Sequence, residues 1–226
     1  MTRFPRTLAA PLALACALGL GLTACSNDDP AASTPASSNA SVLTLDDGPD
    51  VCLRKLAETF GADVEIAELS SQFSAGDDIS GLITGVPQGQ LVTCSAKYRS
   101  PDDPRKLLSA QLDTNTGEFG EPRPVNITVM GGDASQFDLD QHVVALSQID
   151  AAAIAGLMEA RKPQLDSHYS AYAWKAVLVE GPRVTSPAHT LRLGLQGRLA
   201  ANDVVDSRFL TVSIPGGEVV EDIIPD

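Results

Sequence analysis

Residues 91–98 read Leu-Val-Thr-Cys-Ser-Ala-Lys-Tyr, and their alternation decides the fold. Val92, Cys94, Ala96 and Tyr98 fall on one side of an extended chain, and Thr93, Ser95 and Lys97 on the other. A period of two with one apolar side predicts a half-buried strand with Cys94 facing inward. The second half of the pattern lies upstream in "DDGPDVCLRKLAETFG", residues 46–61. Cys52, Leu56 and Phe60 recur at i, i+4 and i+8, with Leu53 alongside, which predicts a helix whose apolar stripe includes Cys52. Asp50 is placed to cap it and Gly61 to end it. A helix laid on the inward side of the strand brings Cys52 to Cys94. The predicted architecture is α+β, a helix packed on an antiparallel sheet.

Downstream, "LLSAQLDTNTGEF" (residues 107–119) continues as strand, turn and strand. Leu108, Ala110 and Leu112 share a face, and Asn115 to Gly117 supply the turn. The Gly-, Ser- and Asp-rich stretch 73–90 reads as a loop. The second half repeats the order. "SQIDAAAIAGLMEARKPQ" predicts a helix with Ile149, Ala153, Leu157 and Ala160 on one stripe, ended by Pro163. "YAWKAVLVEG" predicts a strand, with Tyr172, Trp174, Ala176 and Leu178 on one face. "HTLRLGLQGRL" predicts another, with Leu191, Leu193, Leu195 and Leu199 inward and Arg192, Gln196 and Arg198 forming an outward polar strip. "FLTVSIPGGEVVEDII" predicts a hairpin turning at Pro215–Gly217. Leu108–Glu121 aligns with Leu210–Glu221 once the turn is shortened, and Asp50 and Asp150 begin the two helices. Two tandem helix-plus-sheet units, 46–130 and 131–226, result if the match is a duplication; chance similarity of two strand–turn–strand segments is the alternative.

The hairpin residues Asp113, Thr116, Gly117 and Glu118 resemble the Asp-x-x-Thr-Gly-Glu hairpin of PepSY-type domains, small envelope modules of a helix and a sheet. The second copy keeps only Gly217 and Glu218. The resemblance implies a fold and an envelope setting and carries over no catalytic residue.

The first 24 residues have the parts of an export signal. Arg3 and Arg6 are followed by an uncharged Leu/Ala-rich run from Leu8 to Gly21, then by the small residues Thr23 and Ala24. The run is shorter than the ~20 residues that span a bilayer as a helix. Leu22, Thr23, Ala24 and Cys25 resemble the lipobox of bacterial lipoproteins. The resemblance implies cleavage before Cys25, acylation of that cysteine and membrane attachment through lipid. Ser26, standing where an Asp would signal retention at the inner membrane, implies the outer membrane and a periplasm-facing domain. Residues 25–45 are read as a tether, because Ser26 to Ser41 contains no large apolar side chain. About 20 such residues reach roughly 25 Å.

The resemblance implies that Cys16 leaves with the signal and Cys25 takes lipid, so Cys52 and Cys94 remain as an even pair in an oxidising compartment, as a disulfide or, alternatively, as two buried thiols. Their bond would stabilise the fold by on the order of 4 kcal/mol through lost chain entropy. The net charge of −13, made more negative when Arg3 and Arg6 are removed, opposes nonspecific binding to nucleic acid or anionic headgroups.

Candidate chemistry is sparse. On a strand, Asp138, Asp140 and His142 would share a face and could ligate a metal or form an acid–base pair. A solvated segment in which Asp140 caps the next element accounts for them equally. His168 sits beside Asp166 and Ser167, but nucleophile–base sets are assembled by the fold and not by adjacency. His189 starts a strand. Asp46 to Asp50 offer carboxylates, and read as a turn into a helix. The sequence has no Gly-x-Ser-x-Gly elbow, His-Glu-x-x-His helix or phosphate-binding glycine loop. No cofactor is expected. The reading is a non-enzymatic binding module with an envelope protein partner, of inhibitor, immunity or assembly type. The alternatives are a hydrolase using His142 or His168 and a structural spacer.

Overall fold

Cys52 and Cys94 are joined, with their Cα atoms 5.6 Å apart. The computed structural model describes residues 42–81, 84–129, 133–182, 187–215 and 217–222. The predicted export segment, Cys25 and the predicted tether through residue 41 lie outside them. The described residues fall in one compact unit, Ser38–Asp226.

The folded unit includes residues before 46 that the sequence reading gave to the tether. Thr44 bridges to Gln90, and Leu43 and Leu45 pack on the core. Thr44 and Asp47 form a reciprocal capping box around the short turn Leu45–Asp47. Helix α1, Val51–Phe60, comes next and buries Val51, Cys52, Leu53 and Leu56. Phe60 is half-buried, its ring 4.6 Å from that of Tyr98 and 5.4 Å from that of Phe119. Gly61 ends the helix at φ 98, and its N–H donates to the Ala57 carbonyl. Asp50 occupies the cap position without a side-chain cap bond. Its carboxylate instead accepts from Arg54 at 2.9 Å.

Strands β1 (Glu65–Phe73), β2 (Leu91–Arg99), β3 (Leu107–Asp113), β4 (Glu118–Phe119) and β5 (Arg123–Val125) make up the first half. The short β6 (Val144–Ala145) precedes helices α2 (Ala151–Ala160) and α3 (Lys162–His168). Strands β7 (Tyr169–Glu180), β8 (Thr190–Leu199), β9 (Val205–Ser213) and β10 (Val219–Asp222) complete the chain. The sheet order is β10-β9-β8-β7-β1-β2-β3-β4, with β5 also on β3 and β6 also on β1. Every pairing is antiparallel. Each half thus supplies a run of four successive strands. The runs meet where β1 pairs with β7 through Leu69↔Val179, Ser70↔Leu178, Ser71↔Val177 and Gln72↔Ala176. The α+β arrangement read from the sequence is present, with both runs in a single sheet.

One side of this sheet is the core. Leu69, Cys94, Ala96, Val177, Val179, Leu191, Leu193, Leu210 and Val212 lie there with the buried residues of α1 and α2. Apolar burial of this extent is the main stabilising term.

Three expectations need correction, and in the two strands an irregularity that shifts the phase of alternation is the cause. In β2, Gln72 pairs with Thr93 but Phe73 pairs with Leu91, so Val92 is the extra residue of a bulge. Leu91 is buried there, while Val92 is only half-buried. In β7, Trp174 pairs with Leu195 and Ala176 with Gly194, so Lys175 is the extra residue. Tyr172 and Trp174 therefore share a face with Val177 and Val179, and Ala176 and Leu178 lie on the other. In the second helical region Pro163 does not end a helix. It stands in the first turn of α3, where its missing N–H costs nothing. Asp150 caps α2 by accepting from the Ala153 N–H at 3.1 Å. The helix then buries Ile154 and Met158, while Ala153 and Ala160 are exposed.

Strand β1 has no counterpart among the sequence expectations, yet it is the strand on which the halves meet. Its Ala67 bulge and its buried Ser71 break the apolar alternation that marks a strand.

Candidate functional site

The side of the sheet away from the helices is polar and partly open. Cross-strand pairs align side chains on it as Gln111, Ser95, Ser70, Leu178, Arg192 and Thr211 across six strands. The neighbouring row carries Thr93, Gln72, Ala176, Gly194 and Phe209. Most of these side chains are short, so the floor is low.

Two segments rise as walls. On the first, Leu139 and Val143 pack with Ala67 and Leu107. Arg99 clamps this strap, pairing with Asp140 at 2.5 Å and with Glu65 of β1 at 2.8 Å. On the second, Ala75 and Ile79 of the loop after β1 pack against Ala173 of β7. Gln88 donates to the Tyr172 carbonyl at 3.3 Å and Arg198 to the Asp78 carbonyl, tying this loop to the second half. A cavity of about 560 Å³ lies beside the strap, over Ser70, Ser95, Ser109 and Leu178. A second of about 290 Å³ lies beside the loop, over Gln72, Ala176, Gln196 and Phe209. Leu178 borders both. The result is a groove across the β1–β7 junction, in the volume range of small-ligand sites.

Charges beside the larger cavity are paired, whereas Lys175, which lines the second, has no carboxylate partner among the described residues. Glu68 and Lys97 meet at 2.6 Å, and Glu180 and Arg192 at 3.2 Å. The Arg192 guanidinium also lies 4.1 Å from the centroid of the Phe209 ring, a cation–π contact. At the strap end the Phe137 and His142 rings stack, 4.9 Å apart and 14° from parallel.

The sequence-predicted residues are distributed differently from a reactive cluster. Asp138, Asp140 and His142 lie in and beside a 3-10 turn, Leu139–His142, and not on a strand. Asp138 accepts from the Asp140 N–H at 3.0 Å, Asp140 pairs with Arg99, and His142 stacks on Phe137. Of the three, His142 lines the groove. His168 ends α3 and meets the Tyr169 ring edge-on at 4.8 Å. His189 precedes β8 beside His142. Its imidazole is held below the ordinary value chiefly by burial; the His142 backbone opposes this and the His142 ring adds to it. Among the described residues, no hydrogen bond joins any of these imidazoles to a serine, threonine or carboxylate side chain. The outward strip is also divided. Arg192 and Phe209 stack, Gln196 is buried at 8% exposure beside the second cavity, and Arg198 pairs with Asp203 at 3.4 Å.

The sequence reading already placed Ser95 and Lys97 on the outward side of β2. It missed Ser70 and Gln72, because β1 was not seen, and it placed Leu178 with the aromatics of β7. Phe137 and Phe209 gave no periodic signal of their own. Comparisons with known protein families, curated proteins and solved structures found no match for this chain.

Proposed function

We propose that this chain is a lipid-anchored, non-enzymatic binding module of the cell envelope, and that the groove across the β1–β7 junction is its binding site. The groove carries the reading: two walls from different halves flank a floor of mostly short side chains. Rigid strands hold that floor, which favours pre-organised binding. The lipobox-like Leu22–Cys25 and the tether-like segment after it support acylation at Cys25 and an outer-membrane, periplasm-facing location. Such tethering would raise the effective concentration of the module toward envelope components. Toward an envelope enzyme it would serve as an inhibitor or immunity factor, and toward an assembling structure as an accessory.

Site-specific photocrosslinking tests this. A photoreactive residue in place of Leu178 should give a discrete adduct in intact cells, and one in place of Glu58, on the exposed side of α1, should not. Equal, diffuse labelling from both positions would reject the groove as the binding site. Mass spectrometry of the mature N-terminus should find acylated Cys25, and an unmodified cysteine there would reject the anchor.

A further inference from the structure

We propose that the ligand of this groove is a neutral, hydroxyl-rich oligosaccharide segment; the proposal rests on the groove being the binding site. The first observation is what the floor offers. At the junction β1 is paired on both edges, to β2 and, through Leu69–Gln72, to Ala176–Val179 of β7. A peptide laid over this part of the floor would find no strand edge to pair with, which is the usual source of main-chain affinity. The floor instead presents the hydroxyls of Ser70, Ser95 and Ser109 and the carboxamide of Gln72, which keep capacity for a ligand although Gln72 donates to Ser70 at 3.3 Å and Ser109 to the Arg123 carbonyl at 3.5 Å. Hydroxyls both donate and accept, and a carboxamide does each at separate atoms, which matches sugar hydroxyl and acetamido groups.

The second observation is electrostatic. The chain carries a net charge of −13, yet beside the larger cavity the acids are matched by nearby bases, Glu68 by Lys97 and Glu180 by Arg192, and the second cavity adds only Lys175. An anionic ligand would meet the overall acidic field, and a cationic one would have to displace a paired base. A neutral ligand does neither. The third is the presence of rings at both ends, Phe137 with His142 by the strap and Phe209 with Arg192 by the loop. Flat apolar surfaces bordering a hydroxyl floor suit the C–H faces of sugar rings, which are apolar where their edges are polar.

The test is isothermal titration calorimetry on the full chain with tri-N-acetylchitotriose, with maltotriose, and with an uncharged, end-blocked tripeptide. At least one trisaccharide should bind saturably in the millimolar range or tighter, and the tripeptide should not. Ser95→Leu, which fills the floor, should weaken saccharide binding at least tenfold. Ser135→Leu, exposed and outside the lining of both cavities, should leave it unchanged, and an unaltered circular dichroism spectrum of Ser95→Leu excludes unfolding as the cause of its loss. Binding of the tripeptide without either saccharide would overturn the saccharide class, as would no saccharide binding at millimolar concentration. If saccharides fail while the crosslink from position 178 still yields a discrete adduct, the groove stands as a binding site and only the class is lost. If both fail, both are lost.

Discussion

Gly197 of β8 lies beneath the ring of Tyr169 at the start of β7. A Cβ at position 197 would come within 2.6 Å of the Tyr169 Cδ1 and 2.9 Å of the Ala171 carbonyl oxygen. One of those obstacles is backbone, so relief requires strands to shift. Gly197→Ala should therefore destabilise by about 1–3 kcal/mol, as over-packing does. Gly156→Ala is the informative contrast. It lies on the exposed side of α2 with open space around it, and should stabilise by about 0.5–1 kcal/mol through helix propensity. Urea denaturation of the two variants should shift the midpoint in opposite directions.

The Cys52–Cys94 bond ties α1 to β2 at sites that are both fully buried. Replacing both cysteines by Ala should cost about 2–5 kcal/mol. Reducing agent should lower the wild-type denaturation midpoint and leave that of the double variant unmoved. Non-reducing peptide mapping should recover residues 52 and 94 in one linked fragment.

Ser71 is fully buried on the helix side of β1, opposite Cys94 and Val177. Its hydroxyl has no hydrogen-bond partner among the described residues. Removing an unpaired buried hydroxyl is favourable, so Ser71→Ala should raise stability by about 1 kcal/mol. An unchanged or lowered urea midpoint would show that the hydroxyl is satisfied.

Stability should fall at both ends of the pH range, for different residues. Tyr169 is pushed up to about 12, first by burial and then by its hydrogen bond to Asp206. Tyr172 is pushed up to about 12 by burial and then by Asp166. The folded state thus favours the neutral phenols. Their contribution is complete below the ordinary tyrosine value of about 10 and is lost as pH rises from there toward 12. The tyrosinate absorbance of the native chain should appear above the usual midpoint, and return to about 10 in denaturant.

In acid the relevant group is His189, whose folded value is depressed. Its contribution is complete above the ordinary histidine value of about 6.5 and is lost as pH falls from there through the folded value. The urea midpoint of the wild type should drop across this acid range, and that of His189→Phe should drop less.

Much of this fold is legible in short stretches of the sequence. Cys52 and Cys94 each sit at an inward position of a clean local period, and a helix on a sheet results from that pairing. Leu191, Leu193 and Leu195 gave β8 in the same way. What escaped is where local period fails. The extra residues Ala67, Val92 and Lys175 each reverse which side of the sheet the downstream residues occupy. Bulges leave no compositional mark in a single sequence. The groove was hidden for the same reason, since its floor depends on Ser70 of the unrecognised strand and on Leu178 beyond the Lys175 bulge.

The junction of β1 with β7 also sets an order of events for a chain emerging N-terminus first. Residues 69–72 must wait for residues 176–179 before that edge of β1 is filled. During the interval the first half can close its own helix, its hairpins and its covalent link. It then displays an open strand edge at what will become the middle of the sheet. That edge is a template for pairing with another nascent copy, and misassembly is the hazard of such intermediates. Its side chains there include Ser70, Ser71 and Gln72, which are poorer in apolar surface than an ordinary central strand. The polarity that obscured β1 as a strand would also limit unwanted association while it waits for its neighbour.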